Sequence, residues 1–245
     1  MLDIILLIIV GFIAGVINTL AGGGSLLTLP VLIFMGLPPN IANGTNRIGI
    51  VIQMIAGTAG FKSKGITTFP FSIYMGISAL LGSLIGAQIA VDIKGDTFNK
   101  VLSFVMMAVV LLIVFKPKLK AKELIERTTG KHLWIGCLAF FFFGIYGGFI
   151  NAGLGFILIL FLHFFNHLSL VKSNATKAVI ITIYMCGALL VFILNDAVNW
   201  KMGLTMAIGT SFESRFYVKK GDGFIKVFLI VMVSIMAVKL WFFSS

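Results

Sequence analysis

Asn18, the consecutive glycines Gly22, Gly23 and Gly24, and Ser25 lie within one short stretch of an otherwise apolar segment. Together they offer a carboxamide, a hydroxyl and, where glycine interrupts the helix, backbone N–H groups. Such a set suits a small anion. The helix that restarts after Gly24 presents free N–H donors and the positive end of its dipole. A second set, Asn43, Thr45, Asn46 and Arg47 in "NGTNR", opens another apolar helix. The forked guanidinium of Arg47 fits an oxyanion, and it equally fits an arginine reaching from a helix end to the interface.

Both sets recur further along. Asn151, Gly153 and Gly155 in "INAGLGF" echo the glycine break, and Asn174 and Thr176 in "SNATKA" echo the second set. Lys177 in that echo reads as a cytoplasmic anchor. No Lys-Ser or Lys-Thr follows the glycines, which removes a P-loop. No Ser–His, Cys–His or HExxH arrangement is present, so an intramembrane enzyme ranks low and no catalytic residue is assigned. His163 and His167 share a helical face without a carboxylate or cysteine nearby, so neither a metal nor a cofactor is expected. Cys137 and Cys186 read as structural thiols. Glu213, the one acid well inside an apolar stretch, reads as a helix end paired with Arg215, with a proton-coupling role as the alternative. The "FFFF" run at 140–143 reads as lipid-facing bulk.

What must position these residues is set by composition. Of 245 residues 59% are hydrophobic and 11% charged, against about 25% charged in a soluble domain. The apolar runs are continuous, which excludes an alternating β-barrel. The chain is read as an all-α polytopic membrane protein. Its net charge of +11 comes from basic residues spread over short loops, so membrane orientation explains it and a nucleic acid partner does not. No cationic region precedes the first apolar run, as a cleaved signal peptide needs.

The apolar segments fall at 2–20, 22–37, 41–60, 68–90, 97–115, 133–151, 153–166, 174–194, 198–213 and 223–243. The polar stretch 116–132 divides a first transmembrane repeat, 1–115, from a second, 133–245. The repeat is carried by "GFIAGVIN" against "GIYGGFIN", "AGGGSLL" against "AGLGFIL", "ANGTNR" against "SNATKA", and "DIKGDTFNKVL" against "YVKKGDGFIKVF". Segment 22–37 has 16 residues, a rise of about 24 Å where a bilayer core needs about 30 Å.

A single broken crossing over 2–37 distributes the basic residues 10 against 9; a hairpin that enters and leaves on one face gives 14 against 5. Cytoplasmic loops are rich in Lys and Arg, so the hairpin is preferred, the linker 116–132 is cytoplasmic and both termini face outward. Three crossings then remain in each half. That odd number turns the second half upside down: two inverted repeats, each a Gly-broken helical hairpin followed by three transmembrane helices. Inverted repeats are a carrier architecture with the site near mid-membrane.

Residues 11–51 ("GFIAGVINTLAGGGSLLTLPVLIFMGLPPNIANGTNRIGIV"), the Lys64-Gly65 loop and "GSLIGAQIA" resemble the TauE/SafE sulfite exporter family, also called TSUP. The resemblance covers essentially the whole chain. It implies a bacterial or archaeal inner-membrane protein that exports sulfite, sulfoacetate or another sulfonate. The second half departs from the family pattern at "NAT" (174–176), at Phe212, Glu213 and Ser214, and in lacking the triple glycine.

The sequence therefore points to a secondary transporter whose substrate-binding residues are Asn18, Gly22, Gly23, Gly24, Ser25, Thr45, Asn46 and Arg47, with Asn151, Gly153, Gly155, Asn174 and Thr176 opposite. Its partners are the lipid bilayer and a small anionic substrate of the sulfite or sulfonate class. A carrier or channel for sulfate, thiosulfate or a carboxylate, and a non-transporting scaffold subunit, stay open, as do proton or ion coupling and a homo-oligomeric state. On this basis Asn18→Leu and Arg47→Ala are each expected to abolish anion flux in proteoliposomes without unfolding the protein; full flux in both takes the pair out of the site.

Overall fold

The computed structural model describes residues 2–115, 125–213 and 222–243. The first part of the linker, Arg215 and the side chains of Phe212 and Glu213 lie outside the described residues. Among those described there are ten helices: α1 (Leu2–Ala21), α2 (Ser25–Phe34), α3 (Pro39–Ser63), α4 (Phe71–Asp92), α5 (Gly95–Val114), α6 (Gly130–Phe149), α7 (Leu154–Phe164), α8 (Leu170–Leu194), α9 (Trp200–Glu213) and α10 (Asp222–Phe243). The chain is all-α, as its apolar segments imply.

Four described helices are long and apolar enough to cross a membrane: Phe71–Asp92, Gly95–Leu112, Gly130–Phe149 and Leu170–Leu194. α3 matches α8 in length at 25 residues, yet the polar "NGTNR" lowers its hydropathy. α2 and α7, of 10 and 11 residues, are too short to span; each rises only about 15–17 Å. Large apolar side chains such as Leu81, Trp134, Leu138 and Leu194 stay exposed, as expected where lipid is the solvent.

Helix partners repeat between the halves. α4 packs on α6 and α8, and α9 packs on α1 and α3, which is the same scheme when the fifth helix on is substituted for each. α3 against α8 and α5 against α10 join the halves. The close approaches repeat as well. A Cβ on Gly82 would stand 2.0 Å from the Phe141 carbonyl oxygen, and one on Gly144 2.1 Å from that of Ala79. In the other pair a Cβ on Gly209 would stand 2.1 Å from the Ile8 oxygen, and one on Gly11 2.4 Å from that of Met206. Small residues let helices approach backbone to backbone, which is how apolar helices associate in lipid.

The interior is two main apolar clusters. One joins α1, α2, α5 and α10 through Leu7, Leu29, Leu102, Met106 and Leu240. The other joins α3, α4, α7 and α8 through Met54, Met75, Leu158 and Tyr184. Phe140 belongs to the second, fully buried and edge-on to Phe143 and Phe161. The "FFFF" run is thus not lipid-facing throughout: a helix turns residues 140 and 142 to different sides, and only Phe142 of these two is exposed.

Two glycines on helical backbone should respond in opposite ways. Gly86→Ala puts a Cβ 1.9 Å from the Ile145 oxygen, so it should cost about 1–3 kcal/mol or more. Gly60→Ala meets nothing within 4 Å and should stabilise by roughly 0.5–1 kcal/mol. Thermal unfolding in detergent reads both.

Candidate functional site

Each half breaks its first helix at a left-handed glycine, Gly22 at φ 73° and Gly153 at φ 71°. An L side chain rarely takes that conformation. The two breaks lie against each other: a Cβ on Gly22 would stand 2.3 Å from the Gly155 carbonyl carbon, and one on Gly155 2.6 Å from the Gly22 oxygen. Asn151 Nδ2 donates to Ser25 Oγ across the same contact, at 3.3 Å. The hairpin tips α1–α2 and α6–α7 therefore meet.

A helix that stops inside the bilayer leaves its last carbonyls without partners, and lipid supplies none. Within the last two turns of α1, Gln53 Nε2 adds a donor to the Gly15 oxygen at 3.0 Å. The Asn18 oxygen accepts from the Gly22 N–H at 2.9 Å and from Lys177 Nζ at 3.2 Å. At the end of α6, Arg47 donates to the Gly147 oxygen at 3.1 Å and to that of Gly148. Asn43 Nδ2 donates to the Phe149 oxygen at 2.7 Å. Each half-helix is thus capped by a cation from the other half: Arg47 of α3 on α6, and Lys177 of α8 on α1. The negative end of a helix dipole favours a cation there.

The side chains at equivalent places also match. Asn18 Nδ2 donates to Gln53 Oε1 at 2.7 Å; Tyr184 Oη donates to Asn151 Oδ1 at 2.6 Å. In both halves the asparagine ending the hairpin's first helix is held by a polar residue on the third.

Beside the first tip is a small polar pocket with room for about one water (about 10 Å³). Asn18, Ser25, Thr28, Asn46, Gln53 and Thr210 supply its polar lining, with Gly24, Ala14, Gly49, Ile50 and Met206. All six polar residues are buried. Thr28 Oγ1 donates to Asn46 Oδ1 at 2.6 Å. No carboxylate lines the pocket, and the start of α2 (Gly24, Ser25 and Thr28) opens on it. In the second half, Phe156 stands where the first has Ser25, and Ile180 and Ile181 where it has Gly49 and Ile50; all three are buried. Apolar side chains thus replace small or polar ones at these positions, while Asn151, Lys177 and Tyr184 stand where the first half has Asn18, Asn46 and Gln53.

The sequence-predicted residues divide accordingly. Asn18, Gly24, Ser25 and Asn46 line the pocket. Gly22, Gly155 and Asn151 form the tip-to-tip contact, and Gly153 packs on Val109. Gly23 continues the turn, accepting from the Leu26 N–H at 3.0 Å. Thr45 Oγ1 accepts from the Asn199 N–H at 2.8 Å and ties α3 to the 195–199 loop. Asn174 Oδ1 accepts from Lys177 Nζ at 2.9 Å, and Thr176 Oγ1 donates to the Lys172 oxygen at 2.7 Å.

Arg47 does not line the pocket. It is 1% exposed, inside the helix bundle, with its guanidinium over the Phe192 ring at 4.6 Å, its Nη atoms on the α6 carbonyls and its Nε without a hydrogen-bond partner. Lys177 corrects the expectation of an anchor: it is 2% exposed and bonds the main chain of a pocket residue. Gln53, Thr28 and Thr210 were not singled out in the sequence. Their signal is spacing: Asn46, Gly49, Ile50 and Gln53 share one face of α3 at intervals of three and four.

Residues 7–240 match the sequence profile of the family described as "Sulfite exporter TauE/SafE". The chain belongs to this family, and the class of protein is a membrane transporter rather than an enzyme. It is 29% identical over 239 residues to a "Probable membrane transporter protein" of Haemophilus influenzae, covering 96% of this chain and 93% of that one. It is 27% identical to "Probable membrane transporter protein ORF9" of a Sinorhizobium species (96% and 90% covered) and to "Probable membrane transporter protein YfcA" of Escherichia coli K12 (97% and 89%). No solved structure matches.

Two substitutions check this geometry. Gly22→Ala should destabilise well beyond Gly36→Ala: both have positive φ, but only Gly22 faces another backbone. The shared strain is about 1–3 kcal/mol. Arg47→Ala should lower stability by roughly 2–3 kcal/mol, since it strips the α6 carbonyls of a charged donor. Thermal midpoints of the purified variants decide both, and an unchanged Arg47→Ala midpoint counts against the capping role.

Proposed function

We propose that this transporter is a secondary carrier that exports a small sulfur-containing oxyanion, sulfite or an organosulfonate, through the pocket beside the first hairpin tip. The observation that carries this reading is the pocket itself. It is buried, lined by amides and hydroxyls, free of carboxylates, and one residue removed from the Lys177 ammonium. Neutral donors near a fixed cation attract an anion without holding it irreversibly. Membership of a family described as sulfite exporters supports the choice of anion.

The pocket is too small for sulfite in this conformation, which supports a carrier caught closed over a standing channel. The anion enters when the tips separate. Asn18 and Gln53 then turn donors from each other to the oxyanion. Motion of one half against the other is the natural opening, because the halves share one packing scheme and meet through glycine contacts. The skewed distribution of Lys and Arg supports an inverted arrangement of the repeats, with the 64–70 and 165–169 loops on the cytoplasmic side of an inner membrane.

Proteoliposomes loaded with labelled sulfite test the reading. Asn18→Leu and Gln53→Leu are each expected to cut efflux at least about tenfold, a loss of about 1.4 kcal/mol, while the protein remains folded. Saturating sulfite or sulfoacetate, at about a hundred times Kd, should stabilise the wild type by about 2.7 kcal/mol, more than sulfate, thiosulfate, taurine or simple carboxylates do. Full efflux in both variants, or no stabilisation by any sulfur oxyanion, contradicts the proposal.

A further inference from the structure

A second, larger cavity of about 540 Å³ lies where α1 and α9 begin and α2 ends. Asp3, Ile4 and Leu7 line it from α1, and Asn199, Lys201, Met202 and Thr205 from the α9 side, with Phe34 and Met35 at the end of α2. Lys201 is exposed there and forms no ion pair with Asp3. The Lys239 ammonium sits over the ring of Phe34 at 4.2 Å. Lys201 and Asp3 balance within the lining, and Lys239, beside it over Phe34, tips the surroundings of the cavity positive.

The same two helices line the pocket further in. Leu7, Gly11, Ala14 and Asn18 follow one face of α1, and Met202, Met206 and Thr210 one face of α9, at intervals of three and four. Leu7 and Met202 line the large cavity; Ala14, Asn18, Met206 and Thr210 line the pocket. Between them the seam is shut. Gly11 lies directly on the Met206 backbone and Gly209 on that of Ile8, and Leu7 and Met206 are 2% and 1% exposed. From Leu7 to Ala14 the closed part is about 10 Å long.

We propose that this cavity is a docking subsite for the carried oxyanion, with Lys201 as its charge, and that it opens to the pocket when the α1–α9 seam parts at Gly11 and Met206. The proposal rests on the pocket reading above. It gives the route a direction: the anion passes through the face that carries the α1 N-terminus and the 195–199 loop. On the outward face of an exporter, a positive cavity receives the anion as it leaves the pocket and draws it along the route.

Sided thiol labelling tests it, in full-length protein with Cys137 and Cys186 replaced by alanine. Thr205→Cys and Thr210→Cys are treated in right-side-out and inverted vesicles with two impermeant methanethiosulfonates, one bearing a sulfonate and one an ammonium. Asp196→Cys and Lys64→Cys mark the two faces. Thr205→Cys should react from the Asp196→Cys face and favour the sulfonate reagent by about tenfold, a preference that Lys201→Gln removes. Thr210→Cys should react more slowly from that same face, and its modification should block sulfite efflux.

A preference unchanged by Lys201→Gln overturns the subsite. So does reaction of Thr210→Cys only from the Lys64→Cys face, or from neither. If that reaction from the wrong face still blocks efflux, the pocket reading stands and only the subsite falls. If Thr210→Cys is modified with efflux intact, the pocket reading fails and takes the subsite with it.

Discussion

A helix that ends inside a bilayer exposes carbonyls that lipid cannot satisfy. That constraint bears on the centre of this molecule, where α1 and α6 end against each other among buried residues. At α6 the terminal oxygens are met by Arg47 and Asn43, and in the last turns of α1 Gln53 and Lys177 add donors to the Gly15 and Asn18 oxygens. Because both cations come from the opposite half, neither hairpin is complete alone. The interaction that closes each broken helix is also the one that holds the halves together.

Symmetry builds this scaffold, and its breaking creates the pocket. Matching glycines set matching helix contacts, and Asn18 with Gln53 repeats as Asn151 with Tyr184. At the pocket the correspondence stops. Ser25 gives way to Phe156 and the small Gly49 to Ile180, so the second half carries bulk where the first leaves a small polar pocket. Tyr184 and Asn151 still reach the pocket through Ser25, a chain of hydrogen bonds that joins the two halves.

Much of the architecture was legible in the sequence because its causes are local. Three glycines beside Asn18 interrupt a helix wherever they occur, and continuous apolar runs cannot be barrel strands. Segment 22–37 stood out by its length and by the glycine break before it. The site was only half legible. Asn18, Ser25 and Asn46, which line the pocket, were singled out through the glycine break and the "NGTNR" motif. Gln53 was missed because a lone amide within an apolar run carries no local signal, and its role depends on facing Asn18 across two helices. Arg47 and Lys177 were misplaced for a related reason. A cation's type shows what it can bind, but whether it meets an oxyanion, water or a helix end is decided by tertiary packing.

The central claim is that two broken hairpins, one from each half, bring their tips together beside a polar pocket. A short thiol–thiol crosslinker applied to a Ser25→Cys, Asn151→Cys double variant, with Cys137 and Cys186 replaced by alanine, measures this directly. After protease cleavage in the 116–124 stretch the two halves should still run as one band on a denaturing gel. Two separate bands from protein that is folded and fully labelled would contradict the account.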